Sequence, residues 1–268
     1  MRTSAFSPLV LALLLVFLPG CKSFLAATGD NAEPEYTADA AGNLKKGSEA
    51  MDDHDFPAAE KYFEHVKTKF PYQDAAREAE LRLADNSFAK DSFEEARDRY
   101  NNFVKLHPTH PRVDYAAFRA ALSHLKQFKA TASDFFIFPP AFEKDQAELR
   151  ASLQSMEEFQ RNYSTSSLLP EAKKVADDAR RQIAAHEMYV ADFYAKRSRY
   201  PAAAARWQGV VDKFPQLGPD QDALFKLVSL YRSKLKDPVK ARAALQKVIE
   251  RYPNTSASAR AQRMLAAS

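Results

Sequence analysis

Along most of the chain, small and large apolar residues return at three- and four-residue spacings with charged residues between them, the period of an amphipathic helix rather than the alternation of a strand. One pattern recurs: an alanine, an aromatic or large apolar residue four later, and a proline eight beyond that. Ala59, Phe63 and Pro71 give the first copy, and Ala96, Tyr100 and Pro108 the second. Ala203, Trp207 and Pro215 give the fourth, and Ala241, Leu245 and Pro253 the fifth. A degraded third copy fits Ser152, Met156 and Ser164, where serine replaces the proline. A small residue lets two helices approach, the large one fills the space between neighbouring hairpins, and proline stops the second helix. Upstream, Gly47, Ala84, Ala191 and Ser229 supply the small contact on the first helix of a pair, and Phe56, Phe93 and Tyr200 mark the turns.

This arrangement resembles the tetratricopeptide repeat, although the spacing of the prolines exceeds the usual 34 residues. The fold class is therefore all-α: a superhelical solenoid of about five tetratricopeptide-type helical hairpins with a continuous core and a concave groove. The expected organisation is a signal peptide over 1–20, a tether over 21–41, N-terminal repeats over 42–168 and C-terminal repeats over 169–268. An insertion around 130–144 interrupts the third unit with Phe135-Phe-Ile-Phe-Pro-Pro140, which two prolines keep from being a helix. Its apolar side chains fold back as a plug over the helices, or form an apolar contact for a partner or for the membrane face. A long helical pattern from about Leu169 to Arg197 links the two groups of repeats.

The N-terminus begins with Arg2, runs through an apolar stretch from Leu9 to Leu18 and closes with Pro19-Gly20-Cys21, a signal-peptide pattern. That stretch is shorter than the ~20 residues needed to span a bilayer. Small residues before Cys21 resemble the lipobox of bacterial lipoproteins, which implies a covalent lipid on Cys21 and no other cofactor. Lys22, in place of an inner-membrane retention aspartate, implies outer-membrane sorting. The polar, small residues that follow read as a tether holding the body off the membrane surface.

Composition narrows the function. A net charge of +4 with acids and bases interspersed lacks the clustered basic footprint of a nucleic-acid binder. A single cysteine excludes an intrachain disulfide. The sequence has no Gly-rich phosphate loop, nucleophile elbow or paired-cysteine metal spacing, and His186-Glu187 lacks the second histidine of a zinc-protease helix. His107, His110 and the Asp52-Asp53-His54-Asp55 run read as turn chemistry. No enzymatic activity is expected.

Three segments carry a closer likeness: Leu106-His-Pro-Thr-His-Pro-Arg-Val-Asp-Tyr115, Phe135-Phe136 with Lys144-Asp145-Gln146, and Val190-Ala-Asp-Phe-Tyr-Ala-Lys-Arg197. They resemble the BamD family, the lipoprotein subunits of the β-barrel assembly machinery. The resemblance implies a lipid-anchored protein on the periplasmic face of the outer membrane. Its implied partners are unfolded outer-membrane proteins, a BamA-like barrel protein bearing POTRA domains, and other assembly lipoproteins. It places Phe70 and Tyr72 at a substrate-binding groove, and Arg197 and Arg206 where the barrel-bearing partner docks. An aromatic-ended peptide suits such a groove, because rings give large contact area and arginine offers a fork to a carboxylate. Ser164 and Phe138-Pro139-Pro140 depart from the family pattern, so contacts there are not carried over. The rival reading is a pilus-secretin pilotin or a peptidoglycan-coordinating repeat lipoprotein.

Overall fold

In the computed structural model the described residues are 33–131 and 141–267. Cys21, the signal peptide, most of the tether and Phe135 to Pro140 lie outside them. Successive helices pair: α1 (Ala40–Asp52) with α2 (Phe56–Lys69), α3 (Asp74–Ala89) with α4 (Phe93–Leu106), and α5 (Val113–Thr131) with α6 (Ala147–Asn162). α7 (Leu169–Lys196) then pairs with α8 (Tyr200–Lys213), α9 (Pro219–Leu230) pairs with α10 (Pro238–Arg251), and α11 (Ser256–Ala266) closes the series. Each helix packs mainly on its neighbours in sequence, the quasi-one-dimensional stacking of a solenoid. Among the described residues there is no strand.

The repeat register is visible in the burial. Ala59, Phe63, Ala96, Tyr100, Ser152, Met156, Ala203 and Leu245 are all 0% exposed, and Trp207 and Ala241 are buried beside them. Gly47 meets the ring of Phe63 face on, so the first hairpin closes only because no side chain intervenes.

Both kinds of turn repeat as well. His54, Asp91, Ser198 and Lys236 each take a left-handed conformation, two residues before the second helix of their hairpin begins. No glycine occupies that position, although glycine is the residue that tolerates it best. At the far end Phe70, His107, Tyr163, Phe214 and Tyr252 adopt one shared cap, with φ from −125° to −129° and ψ from 45° to 55°. Proline follows four of them. Ser164 follows the fifth, yet Tyr163 keeps the geometry, so the third ending survives without its proline.

Three expectations are corrected. Ser229 is exposed, and Val228 is buried in its place. The cause is a π-turn over Tyr231–Leu235 that winds one extra residue into the hairpin. The bond closing the turn therefore runs from Asp237 N–H to the carbonyl of Tyr231, six residues back. In the other turns it spans five, as in Asp55 to Ala50 and Arg199 to Tyr194. Second, residues 36–41 belong to the folded body and not to the tether. Asp39 caps α1 by accepting from Gly42 N–H, and buried Asn43 exchanges hydrogen bonds with the Thr37 backbone. Tyr36 stacks on His65 at 3.8 Å. Third, the insertion is displaced by two residues from 130–144: α5 runs through Ala130 to Thr131, and α6 begins only at Ala147, after a 3-10 turn over Ala141–Glu143.

The long helix α7 has 28 residues, about 42 Å at 1.5 Å per residue. Ala172, Ala176, Ala179, Ala184 and Ala191 are buried along it, and these small residues let its neighbours pack closely on either side.

Candidate partner-binding surfaces

At the N-terminal end, Phe70 caps α2 and leans half-buried on the core of Ala59, Phe63 and Val66, with its ring edge toward His65. Its side chain is largely committed to packing. Tyr72, two residues on and beyond Pro71, is 96% exposed. Leu106 at the end of α4 is the other exposed apolar side chain nearby, at 55%. It borders two shallow hollows, one reaching Glu64, Lys67 and Arg99, the other Asp74, Arg77 and Pro108. Leu106 opens the family-like segment, and its spacing in the sequence does not distinguish it from a core leucine.

On α7 the spacing Tyr189, Phe193, Arg197 runs at i, i+4 and i+8, which aligns all three on one helix face. Tyr189 and Phe193 are 37% and 44% exposed, and the Arg197 guanidinium lies 3.7 Å above the Phe193 ring. Phe142 packs on Tyr189 at 5.4 Å, and its carbonyl meets His186 Nδ1 at 2.7 Å, which fastens the end of the insertion to this helix. Exposed aromatic rings beside a stacked guanidinium are the side chains protein interfaces favour. The sequence does not distinguish Tyr189 and Phe193 from core aromatics, since helical spacing is common to both.

Arg206 reaches from α8 to Glu187, whose other oxygen takes Arg150 of α6, at 2.8 Å and 3.0 Å. Burial works to raise the Glu187 carboxyl, but the hydrogen bonds and charges of the two arginines outweigh it and hold the group below the usual carboxylate range. Both guanidinium groups remain about half exposed. Glu187 lies two positions from Tyr189, roughly 200° around the helix. Arg197 and Arg206 thus have different partners, the Phe193 ring and Glu187 respectively.

The Pro108-Thr-His-Pro-x-x-Asp-Tyr115 segment turns out to be a joint. Asp85, 6% exposed in α3, accepts from the Tyr100 hydroxyl at 2.6 Å and the Tyr115 hydroxyl at 2.8 Å. Arg119 donates to Tyr100 and lies 3.7 Å above Phe88. Burial, then the Asp85 charge, push Tyr115 up to about 12 and Tyr100 higher still, so both stay protonated and donate. Arg112 bonds Glu78, and Asp114 accepts from Ser166. The segment thereby fixes the third hairpin against the second, a structural reason for its specificity.

The described residues contain no group of three or more His, Cys, Asp or Glu positioned to hold a metal, and no helix long and apolar enough to cross a membrane. Asp55 of the acidic run caps α2 by accepting from Ala58 N–H, and His107 bonds Glu80 at 2.6 Å.

Comparison with known proteins gives a family. The model of the YfiO family, described as outer membrane lipoprotein, matches residues 38–244. Three similar proteins carry the name outer membrane protein assembly factor BamD. That of Xylella fastidiosa is 26% identical over 86% of this chain and 78% of its own length. That of Rickettsia prowazekii is 25% identical over 83% of each. That of Caulobacter vibrioides is 23% identical over 69% of this chain, which spans only 57% of that relative's length. Among solved structures, a tetratricopeptide repeat protein of Thermus thermophilus aligns over 85% of this chain and all of that one, at 16% identity and a TM-score of 0.36. The TPR2AB domain of yeast Sti1 aligns over 84% of each chain, at 15% identity and 0.42.

Proposed function

The chain belongs to the YfiO family of outer membrane lipoproteins, and from that premise we propose that it is a non-catalytic subunit of outer-membrane protein assembly. In this reading a lipid on Cys21 anchors it at the periplasmic face. Unfolded barrel precursors contact the Tyr72 end, and a BamA-like, POTRA-bearing barrel protein docks on the α7 and α8 side, with other assembly lipoproteins completing the complex. The observation that carries the reading is the Tyr189, Phe193, Arg197 strip, an exposed aromatic and cationic ridge on a rigid helix. A ridge of this kind binds proteins. The names borne by the Xylella and Rickettsia relatives support the same role.

The two ends separate experimentally. A photoreactive side chain in place of Phe193 should crosslink to the POTRA-bearing protein in intact cells, and crosslinking only to unrelated proteins would remove the strip from that role. Arg206→Ala should weaken copurification with the same partner while leaving the fold intact, because Arg150 still holds Glu187. Tyr72→Ser should reduce crosslinking to unfolded precursors without changing the melting temperature, since exposed sites of this kind rarely move stability by more than about 0.5 kcal/mol.

A further inference from the structure

The charge of this chain is not evenly spread. Residues 36–90 hold eight basic and eleven acidic side chains, whereas residues 226–268 hold ten basic and two acidic. Several of those cations are used internally: Arg251 binds the Val211 carbonyl and Asp220, Arg232 binds the Met264 carbonyl, and Lys226 and Lys247 pair with Asp192 and Asp212. The turn between α9 and α10 is different. Lys234, Lys236 and Lys240 are all exposed there and flank Val239 in sequence, with Lys234 and Lys240 each 5.7 Å from a ring centroid, of Tyr200 and Tyr231; Val239 at 76% is among the most exposed large apolar side chains described. The one acid at this tip, Asp237, is occupied in capping α10 and in a contact with Lys240. The turn is also irregular: it follows the π-turn, and Lys236 has φ +53°.

We infer that this tip is a membrane contact, a basic turn that rests on anionic phospholipid headgroups with Val239 entering the interface. Charge complementarity favours it. So does the choice of cation, because lysines are mobile point charges suited to a plane of phosphates, whereas a fixed protein acceptor is better matched by the planar fork of arginine. An exposed apolar side chain flanked in sequence by exposed lysines has the composition of an interfacial anchor. Membership of an outer membrane lipoprotein family keeps the body beside such a surface. The contact is independent of which protein partners bind.

The test uses the full chain, purified in detergent and reconstituted into vesicles, with an environment-sensitive fluorophore on Ala243→Cys, which lies one turn from Val239 on exposed α10 surface. A parallel preparation retaining Ala243 gives the background from Cys21, the only native cysteine. Phosphatidylglycerol-containing vesicles should blue-shift the probe and pure phosphatidylcholine vesicles should not, with the shift falling as salt rises. Replacing the three lysines by glutamine should weaken the contact by roughly fivefold for each cation removed. An equal shift on both vesicle types, or none on either, overturns the proposal. A shift produced only by adding polyglutamate would assign the tip to an acidic protein instead, and would likewise overturn it.

Discussion

Gly47 and Gly209 sit inside helices of the same repeat system, yet the same substitution should act on them with opposite sign. Alanine in place of a helical glycine gains about 0.5–1 kcal/mol from backbone entropy alone. At Gly209 a new Cβ would meet nothing within 4 Å, so that gain stands. At Gly47 the Cβ would fall 2.5 Å from Cε1 of Phe63 and 2.9 Å from Cδ1 and Cζ. The ring is 0% exposed and packed among Ala59, Val66, Ala79 and Leu83, which leaves it no room to withdraw. Overpacking of this kind costs about 1–3 kcal/mol and exceeds the propensity gain. Gly47→Ala should therefore destabilise by about 1–2 kcal/mol, and Gly209→Ala should stabilise by up to about 1 kcal/mol. At roughly 2–4 °C per kcal/mol the two melting temperatures should move in opposite directions and separate by several degrees. Thermal circular dichroism reads this, and hydrogen exchange of α1 and α2 would localise the Gly47 effect, since a solenoid can open at one end. A rise in melting temperature for Gly47→Ala like that for Gly209→Ala would refute the claim that small residues set the approach of paired helices.

Other perturbations probe other joints. Ser164→Pro should stabilise by about 0.4–1 kcal/mol, since Tyr163 already holds the cap geometry that precedes proline elsewhere, and a fall in urea midpoint would count against that equivalence. Asp85→Ala leaves the Tyr100 and Tyr115 hydroxyls without their charged acceptor and should cost about 3 kcal/mol; a loss below about 1 kcal/mol would mean the network is incidental. Glu187 has a depressed folded-state pKa, so its contribution to stability is present above the ordinary glutamate value of about 4.3 and disappears as pH falls through the lower folded value. Wild type and Glu187→Gln should thus differ in urea midpoint near neutrality and converge in acid, and a difference that persists unchanged at low pH would contradict the arginine clamp.

The hairpins were legible because their register is local. Phe63, Tyr100, Met156, Trp207 and Leu245 each follow a small residue by four, and every one is buried. Ser229 misled because an extra residue wound into a π-turn leaves no trace in spacing until the helix is seen. The start of the body was hidden because Thr37, Asp39 and Asn43 are polar residues that work by capping, which composition alone reads as tether. At the surfaces, Tyr72, Arg197 and Arg206 are exposed, and the tie of Arg206 to Glu187 and Arg150 joins residues 19 and 37 apart and is purely tertiary. The basic C-terminal turn could have been counted, but a whole-chain charge of +4 averages it against the acidic N-terminal hairpins.

A solenoid that works by holding other proteins at the outer membrane should leave that membrane with them still bound. The most direct test is affinity purification of the full chain, carrying a C-terminal tag, from detergent-solubilised outer membrane, followed by mass spectrometry. Recovery of a POTRA-bearing barrel protein is the predicted result; recovery of secretin subunits or peptidoglycan-linked proteins without it would contradict the account.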